Sequence, residues 1–96
     1  MGPCIVLAVG GRITRGNIPA LCERARMLLE RSNADVLTCD VGAIVDPDAV
    51  TVDALARLQL TARRKGRTIR LRHASPELEE LLALTGLGHL VGTGAA

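Results

Sequence analysis

The sequence predicts an α/β domain with a small, mostly parallel sheet and crossover helices. Short apolar or alternating runs typical of strands are separated by amphipathic segments of about ten to seventeen residues, an order that produces right-handed βαβ crossovers. The chain has 96 residues, which is the size of one domain. It is 48% hydrophobic and 23% charged, a composition that can form a buried core. We therefore expect one domain over residues 1–96, with its core over about residues 4–91.

The first strand and the first helix are predicted near the N-terminus. The apolar run from Cys4 to Val9 is typical of a buried strand, and Gly10 and Gly11 end it with a turn or bulge. Asn17 is a candidate N-cap for a helix over about residues 18–31, because apolar side chains then recur at helical spacing.

A second strand is predicted from Val36 to Val41, and a second helix follows the connection over residues 42–48. Asp48 ends that connection, and its carboxylate can accept the free backbone N–H groups of the helix as an N-cap. The helix has a wide apolar stripe and three basic residues in its last turn, which complement the helix dipole. Gly66 is expected to end it.

The third strand is predicted from Thr68 to Arg72, where apolar and basic residues alternate. Ser75, Pro76 and Glu77 form an N-cap, a first-turn proline and a first-turn acid in sequence, so a third helix is expected to run from there to Gly86. Residues 87–91 are predicted to add a last strand, and residues 92–96 are expected to fray.

Composition disfavours several function classes. The chain has no Phe, Trp or Tyr, so it offers no ring on which a nucleic-acid base could stack. Its three cysteines form no CxxC pair, which argues against a zinc site and a redox motif. We find no secretory signal and no apolar run long enough to span a membrane, so a cytoplasmic protein without membrane association is expected.

Several residues are candidates for a catalytic or metal-binding site. A cluster of aspartates follows the second strand, at the sheet edge where α/β domains bind ligands: Asp40, Asp46, Asp48 and Asp53. Carboxylates there could hold Mg²⁺, but helix capping and dipole compensation explain them more simply. Gly10 and Gly11 match neither phosphate-binding glycine motif, and His73 and His89 stand alone. We therefore expect no catalytic residue, no metal site and no cofactor.

The stretch from Asp40 to Leu87 contains a series of short motifs at fixed spacing. Asp40 ends a strand, Asp48 follows eight positions later, and Gly66 closes the next helix. The remaining motifs are Ala54–Leu55, Arg70–Arg72, Ser75–Glu77 and Leu84–Leu87. Their order resembles STAS domains, the family of anti-sigma factor antagonists and sulfate-transporter tails. The resemblance covers about residues 4–91 and implies the STAS fold.

The resemblance implies a switch at the start of the helix after the second strand. In the family, Asp-Ser-Ser-Gly places a serine there; a kinase-type anti-sigma factor phosphorylates it, and the added charge breaks binding. The matching positions here are Asp48, Ala49, Val50 and Thr51, so Val50 stands where the acceptor serine is expected. Thr51 is a candidate for phosphorylation instead; the alternative is a threonine in the first helical turn that faces solvent.

A second departure from the family is brevity. STAS domains usually begin with another strand and end with another helix, and the chain has no room for either. We expect a minimal STAS core whose N-terminal sheet edge is bare, so that a second copy in a homodimer or another partner could cover it.

The function implied by the resemblance is that of a non-catalytic protein-interaction module in bacterial transcription regulation and signalling. Its expected partner is an anti-sigma factor or a related kinase-type regulator, bound by Asp46, Asp48, Ala49, Val50 and Thr51. One alternative is a STAS scaffold subunit that senses a small ligand or a nucleotide, because strand ends are where such sheets bind ligands. A weaker alternative is nucleic-acid binding through residues 57–72, which hold seven of the twelve basic residues and no acid.

Overall fold

The computed structural model describes residues 5–91, which form a three-stranded parallel sheet with helices. The strands are β1 (Ile5–Gly11), β2 (Val36–Ile44) and β3 (Thr68–Arg72), in the order β1-β2-β3. Helix α1 (Ile18–Glu30) connects β1 to β2, and α2 (Ala49–Arg64) connects β2 to β3. Helix α3 (Pro76–Leu84) follows β3. The predicted α/β class, with a parallel sheet and crossover helices, is confirmed.

One face of the sheet forms the core, because side chains of a strand alternate between its two faces. The buried strand residues on that face are Leu7, Val9, Leu37, Cys39, Val41, Ile69 and Leu71. Helices α1 and α2 pack against each other and against these residues through the apolar stripes that the sequence predicts. The opposite face holds exposed or half-buried residues such as Val6, Thr38 and Arg70.

The ends of α2 and α3 are set by local capping, as predicted. Gly66 and Gly86 adopt φ values of +72° and +81°, which glycine reaches without a steric penalty. In each case the next residue donates its N–H back to the last turn: Arg67 to the Ala62 carbonyl, and Leu87 to the Leu82 carbonyl. Both helices therefore end in a Schellman motif. Ser75 Oγ accepts the Leu78 N–H at 3.2 Å at the start of α3.

The beginning of α1 differs from the prediction, because Asn17 does not cap it. The backbone of Asn17 is already helical, and its side chain makes no capping hydrogen bond. A single 3-10 turn over Arg15–Asn17 leads into the helix, and the Asn17 N–H bonds to the Thr14 carbonyl at 2.9 Å. The turn thus satisfies a backbone group without a side-chain cap.

The end of β2 also differs, because the strand continues to Ile44 rather than stopping at Val41. Its last residues pair with the two glycines of β1, Gly10 with Ala43 and Gly11 with Ile44, after a bulge in the register. The local sequence predicts a connection from Gly42 onward. Pairing with β1 instead keeps this segment extended as part of β2.

The predicted last strand over residues 87–91 is wrong except at one residue. Gly88–Leu90 form a 3-10 turn, which buries Leu90, and Val91 alone bridges to Leu71 of β3. The predictions that Cys4 opens the first strand and that residues 92–96 fray concern positions outside the described residues.

Within residues 5–91, no helix has the length and hydropathy needed to cross a bilayer. The longest helix, α2, has 16 residues, whereas a membrane span requires about 20 apolar residues.

Candidate functional site

The residues predicted to bind a partner lie together at the carboxyl end of the central strand. We call residues 46–51 the α2 entry turn. Asp46 lies in the left-handed region, with φ +48°, a conformation that aspartate tolerates better than most residues. Its carboxylate accepts a hydrogen bond from Arg12 Nη2 at 2.8 Å. The Val45 N–H bonds to the Gly11 carbonyl at 3.0 Å, so the entry turn is held against the end of β1.

Asp48 and Thr51 form a capping box at the start of α2. Asp48 Oδ1 accepts the Thr51 N–H at 3.1 Å, and Thr51 Oγ1 accepts the Asp48 N–H at 3.2 Å. The N-cap role predicted for Asp48 is confirmed. Thr51 does not face solvent as the alternative expected, because its side chain is only 1% exposed. Burial is tolerated because the hydroxyl is hydrogen-bonded.

The surface of the entry turn is formed by the other residues. Asp46, Asp48 and Ala49 are exposed, and Val50 is half-buried, with part of its side chain packed against the core. The turn therefore presents one partly exposed apolar side chain, Val50, and two exposed aspartates that are close to it in sequence, Asp46 and Asp48. The five predicted residues are brought together because they are nearly contiguous in sequence, but only four of them reach the surface.

Asp40 lies on the open face of the sheet and forms a polar cluster that the motif analysis missed. The Gly42 N–H donates to its Oδ1 at 3.1 Å, His73 Nδ1 lies 3.2 Å from both carboxylate oxygens, and Arg72 Nε lies 3.4 Å from Oδ2. The hydrogen bond from Gly42, followed by that from His73, lowers the pKa of the Asp40 carboxyl. The parallel register that pairs Asp40 with Arg72 could have revealed this cluster.

The four aspartates that are candidate Mg²⁺ ligands each have a separate partner. Asp40 bonds to His73, Asp46 to Arg12, Asp48 to the first turn of α2, and Asp53 to Arg57 at 3.1 Å. In the part of the chain that the structure describes, no three His, Cys, Asp or Glu side chains meet in a way that could hold a metal ion.

The basic residues between 57 and 72 do not form one surface. Lys65 bonds to Glu30 at 3.1 Å, and Arg67 lies against backbone carbonyls in the last turn of α1 and in the loop after it. Arg70 and Arg72 alternate with the buried residues of β3 and so lie on the open face of the sheet, whereas α2 packs on the other face. This division weakens the case for a continuous phosphate-binding patch, and nucleic-acid binding stays the weaker alternative.

Comparison with known proteins identifies the family. The family model described as "Mlab, STAS domain" matches residues 2–92. Among solved structures, that of the anti-sigma factor antagonist SpoIIAA in its unphosphorylated form has the same fold, with a TM-score of 0.73 and 11% sequence identity. The match covers 95% of this chain and 79% of that chain. No curated protein matches the sequence. Since the family model spans nearly the whole chain and the fold agrees, the chain belongs to the STAS domain family.

Proposed function

We propose that this chain is a non-catalytic, cytoplasmic regulatory module that binds a protein partner through the α2 entry turn. The partner that we propose is a kinase-type anti-sigma factor, by analogy with the antagonist whose fold it shares. The observation that carries the proposal is that some residues of the turn cap the helix, whereas others present their side chains at the surface. Asp48 and Thr51 use their polar groups on the capping box, whereas Val50 offers an apolar contact beside exposed Asp48 and Ala49.

A surface of this kind suits protein recognition better than phosphate transfer or catalysis. Protein interfaces commonly have an apolar centre inside a polar rim. Here Val50 would form the centre, and the carboxylates of Asp46 and Asp48 would form the rim. Within residues 5–91, neither carboxylate has a histidine partner to act with as an acid–base pair: Asp46 bonds to Arg12, and Asp48 to the backbone of Thr51.

We further propose that binding is not controlled by phosphorylation at position 50. Valine has no hydroxyl, so the serine switch that the resemblance implies has no acceptor there. A partner surface that tolerates the apolar side chain would then bind the module without an off state that depends on phosphorylation of residue 50.

Phosphorylation of Thr51 stays a prediction, and it would require a local change in the structure. A kinase could reach the buried hydroxyl only if the first turn of α2 opened. The phosphate would replace the capping box and add negative charge beside the Asp48 carboxylate, which lies 3.3 Å from Thr51 Oγ1. Mass spectrometry of the protein from its native cells would test this. A phosphate adduct present in the wild type and absent from Thr51→Val would support modification at this residue.

The binding proposal is tested by capture from native cell lysate with the wild type, Val50→Glu and Leu84→Glu in parallel. Glutamate is favourable in the first turn of a helix, so Val50→Glu should fold while placing charge in the proposed contact. Leu84→Glu makes a comparable change on α3, at a residue that is 76% exposed. We expect the wild type and Leu84→Glu to retain an ATP-binding anti-sigma factor, and Val50→Glu to lose it.

One outcome would contradict the proposal, and another would favour the alternative. If the same proteins bound all three variants, the entry turn would not be the interface. If nucleotides or another small ligand with Mg²⁺ raised the melting temperature of the purified wild type, the ligand-sensing alternative would gain support, because a ligand that binds only the folded state stabilises it.

A further inference from the structure

The outer edge of β1 is open in the described part of the chain. β1 pairs with β2 on one side only, and no strand within residues 5–91 covers the other side. About half of the backbone N–H and C=O groups of such an edge strand point away from the sheet. Proteins usually protect such edges with charged residues or proline, but the segment Ile5–Gly11 contains neither. On this strand Val6 is 43% exposed.

A groove runs beside this edge, between β1 and the side of α1 that faces away from α2. It consists of two adjoining hollows of about 280 and 240 Å³, and Arg24 lines both. Leu7 and Leu28 line the first hollow, and Ile13 and Leu21 line the second. We call this feature the β1–α1 groove. It shares no residue with the α2 entry turn.

Two arginines give the groove positive charge, and within residues 5–91 neither of them has a carboxylate at ion-pair distance. Arg24 and Arg31 are these two residues. Arg26, on the opposite side of the same helix, pairs with both Glu23 and Glu30. No Asp or Glu lines either hollow. These two arginines thus lie along the apolar groove, roughly 10 Å apart along the axis of α1, which ends one residue before Arg31.

We propose that the β1–α1 groove binds an extended, acidic segment of a partner protein, which adds to the sheet as a fourth strand beside β1. The open backbone groups of β1 would supply the hydrogen bonds that such strand addition requires. Alternate side chains of the segment point to one face, so apolar ones would fill the hollows. Carboxylates two or four positions apart on that face would reach Arg24 and Arg31.

Charge complementarity favours this occupant over a second copy of the chain. Pairing of β1 with its symmetry mate would bring Arg24 and Arg31 of both copies to one interface, where like charges repel. An acidic segment would instead give each arginine a carboxylate, which can bond to it in a bidentate manner.

The test is selection from a displayed library of random short peptides against the full chain. We expect the enriched peptides to combine β-branched residues with at least two acidic residues at even spacing. The variant with both Arg24→Glu and Arg31→Glu should bind a selected peptide at least about tenfold more weakly than the wild type. Arg63→Glu with Arg64→Glu makes the same change in net charge on exposed residues of α2 and should bind normally.

A second measurement locates the peptide. Backbone amides of β1 should shift in NMR spectra and exchange more slowly with solvent when the selected peptide is bound. The proposal is overturned if no peptide is enriched, if enriched peptides lack acidic residues, or if the shifts fall outside β1 and α1. It is also overturned if sedimentation shows a dimer of the unbound chain that Val6→Arg dissociates, because a second copy would then occupy the edge.

Discussion

Asp48 is the residue whose side chain most directly sets the start of α2. Its carboxylate accepts the Thr51 N–H, one of the groups that have no partner within the helix itself. Asp48→Ala removes this acceptor, and we expect a loss of about 1 kcal/mol in the free energy of unfolding. For a domain of this size the melting temperature should fall by roughly 4–8 °C. Far-UV circular dichroism measures it.

Asp48→Asn is the matched control for this prediction. The asparagine oxygen can accept the same N–H bond, and asparagine caps helices about as well as aspartate. Its melting temperature should therefore stay close to that of the wild type. Equal melting temperatures for the alanine variant and the wild type would show that the capping box contributes nothing measurable.

Asp40 gives the molecule a defined response to acid. The Gly42 N–H and then His73 lower the pKa of its carboxyl in the folded state. A carboxyl whose pKa is lower when folded adds stability above its unfolded-state pKa and loses it as the pH falls through the folded value. Glu30 acts in the same direction, since Lys65 is the main cause that lowers its pKa. We expect urea midpoints to fall as the pH drops below about 4.

The contribution of Asp40 is isolated by Asp40→Asn. This variant cannot titrate, so the difference in stability between it and the wild type should shrink as the pH falls. NMR titration of the carboxyl carbon should place the Asp40 pKa below its ordinary value. A titration at or above the ordinary value would contradict the role given to the Gly42 hydrogen bond.

At the scale of elements, Arg67 ties the end of α1 to the start of β3. Its Nη1 lies 3.1 Å from each of three backbone carbonyls, those of Leu29, Ser32 and Ala34. Arg67→Ala leaves these carbonyls without their charged donor, and hydrogen bonds to charged groups contribute about 1.5–3 kcal/mol. We expect the free energy of unfolding, measured by urea denaturation, to fall by an amount of that size. Arg70→Ala, at an exposed position of β3, should change stability by less than about 0.5 kcal/mol.

The elements that could be predicted from sequence are those set by local chemistry. Gly66 and Gly86 provide the left-handed residue that a Schellman motif needs, and Ser75 with Pro76 provides a helix start. The elements that differ are set by distant partners. Ala43 and Ile44 are extended because β1 pairs with them, which no periodicity of the local sequence shows.

At the scale of the whole molecule, the sheet has one covered face and one open face. The strand order places β2 in the centre, and both crossover helices pack on the covered face. The fold class was predictable because alternating strands and helices allow few arrangements. The α2 entry turn was predictable because its residues are adjacent in sequence. The Asp40–His73 contact and the β1–α1 groove depend on register and packing, which the sequence pattern does not fix.

Because Cys39 lies in the central strand, the reactivity of its thiol can report on opening of the sheet. Its thiol is 0% exposed in the middle strand, and burial raises its pKa to about 12, so the reactive thiolate is essentially absent while the sheet is intact. Alkylation of the Cys39 thiol at neutral pH therefore requires β2 to separate from its neighbours. The rate of labelling then measures how often this opening occurs. Cys22, half-buried on α1, should react sooner. In a chain without aromatic fluorophores, mass-resolved labelling of these two thiols would follow native-state fluctuations without any added dye.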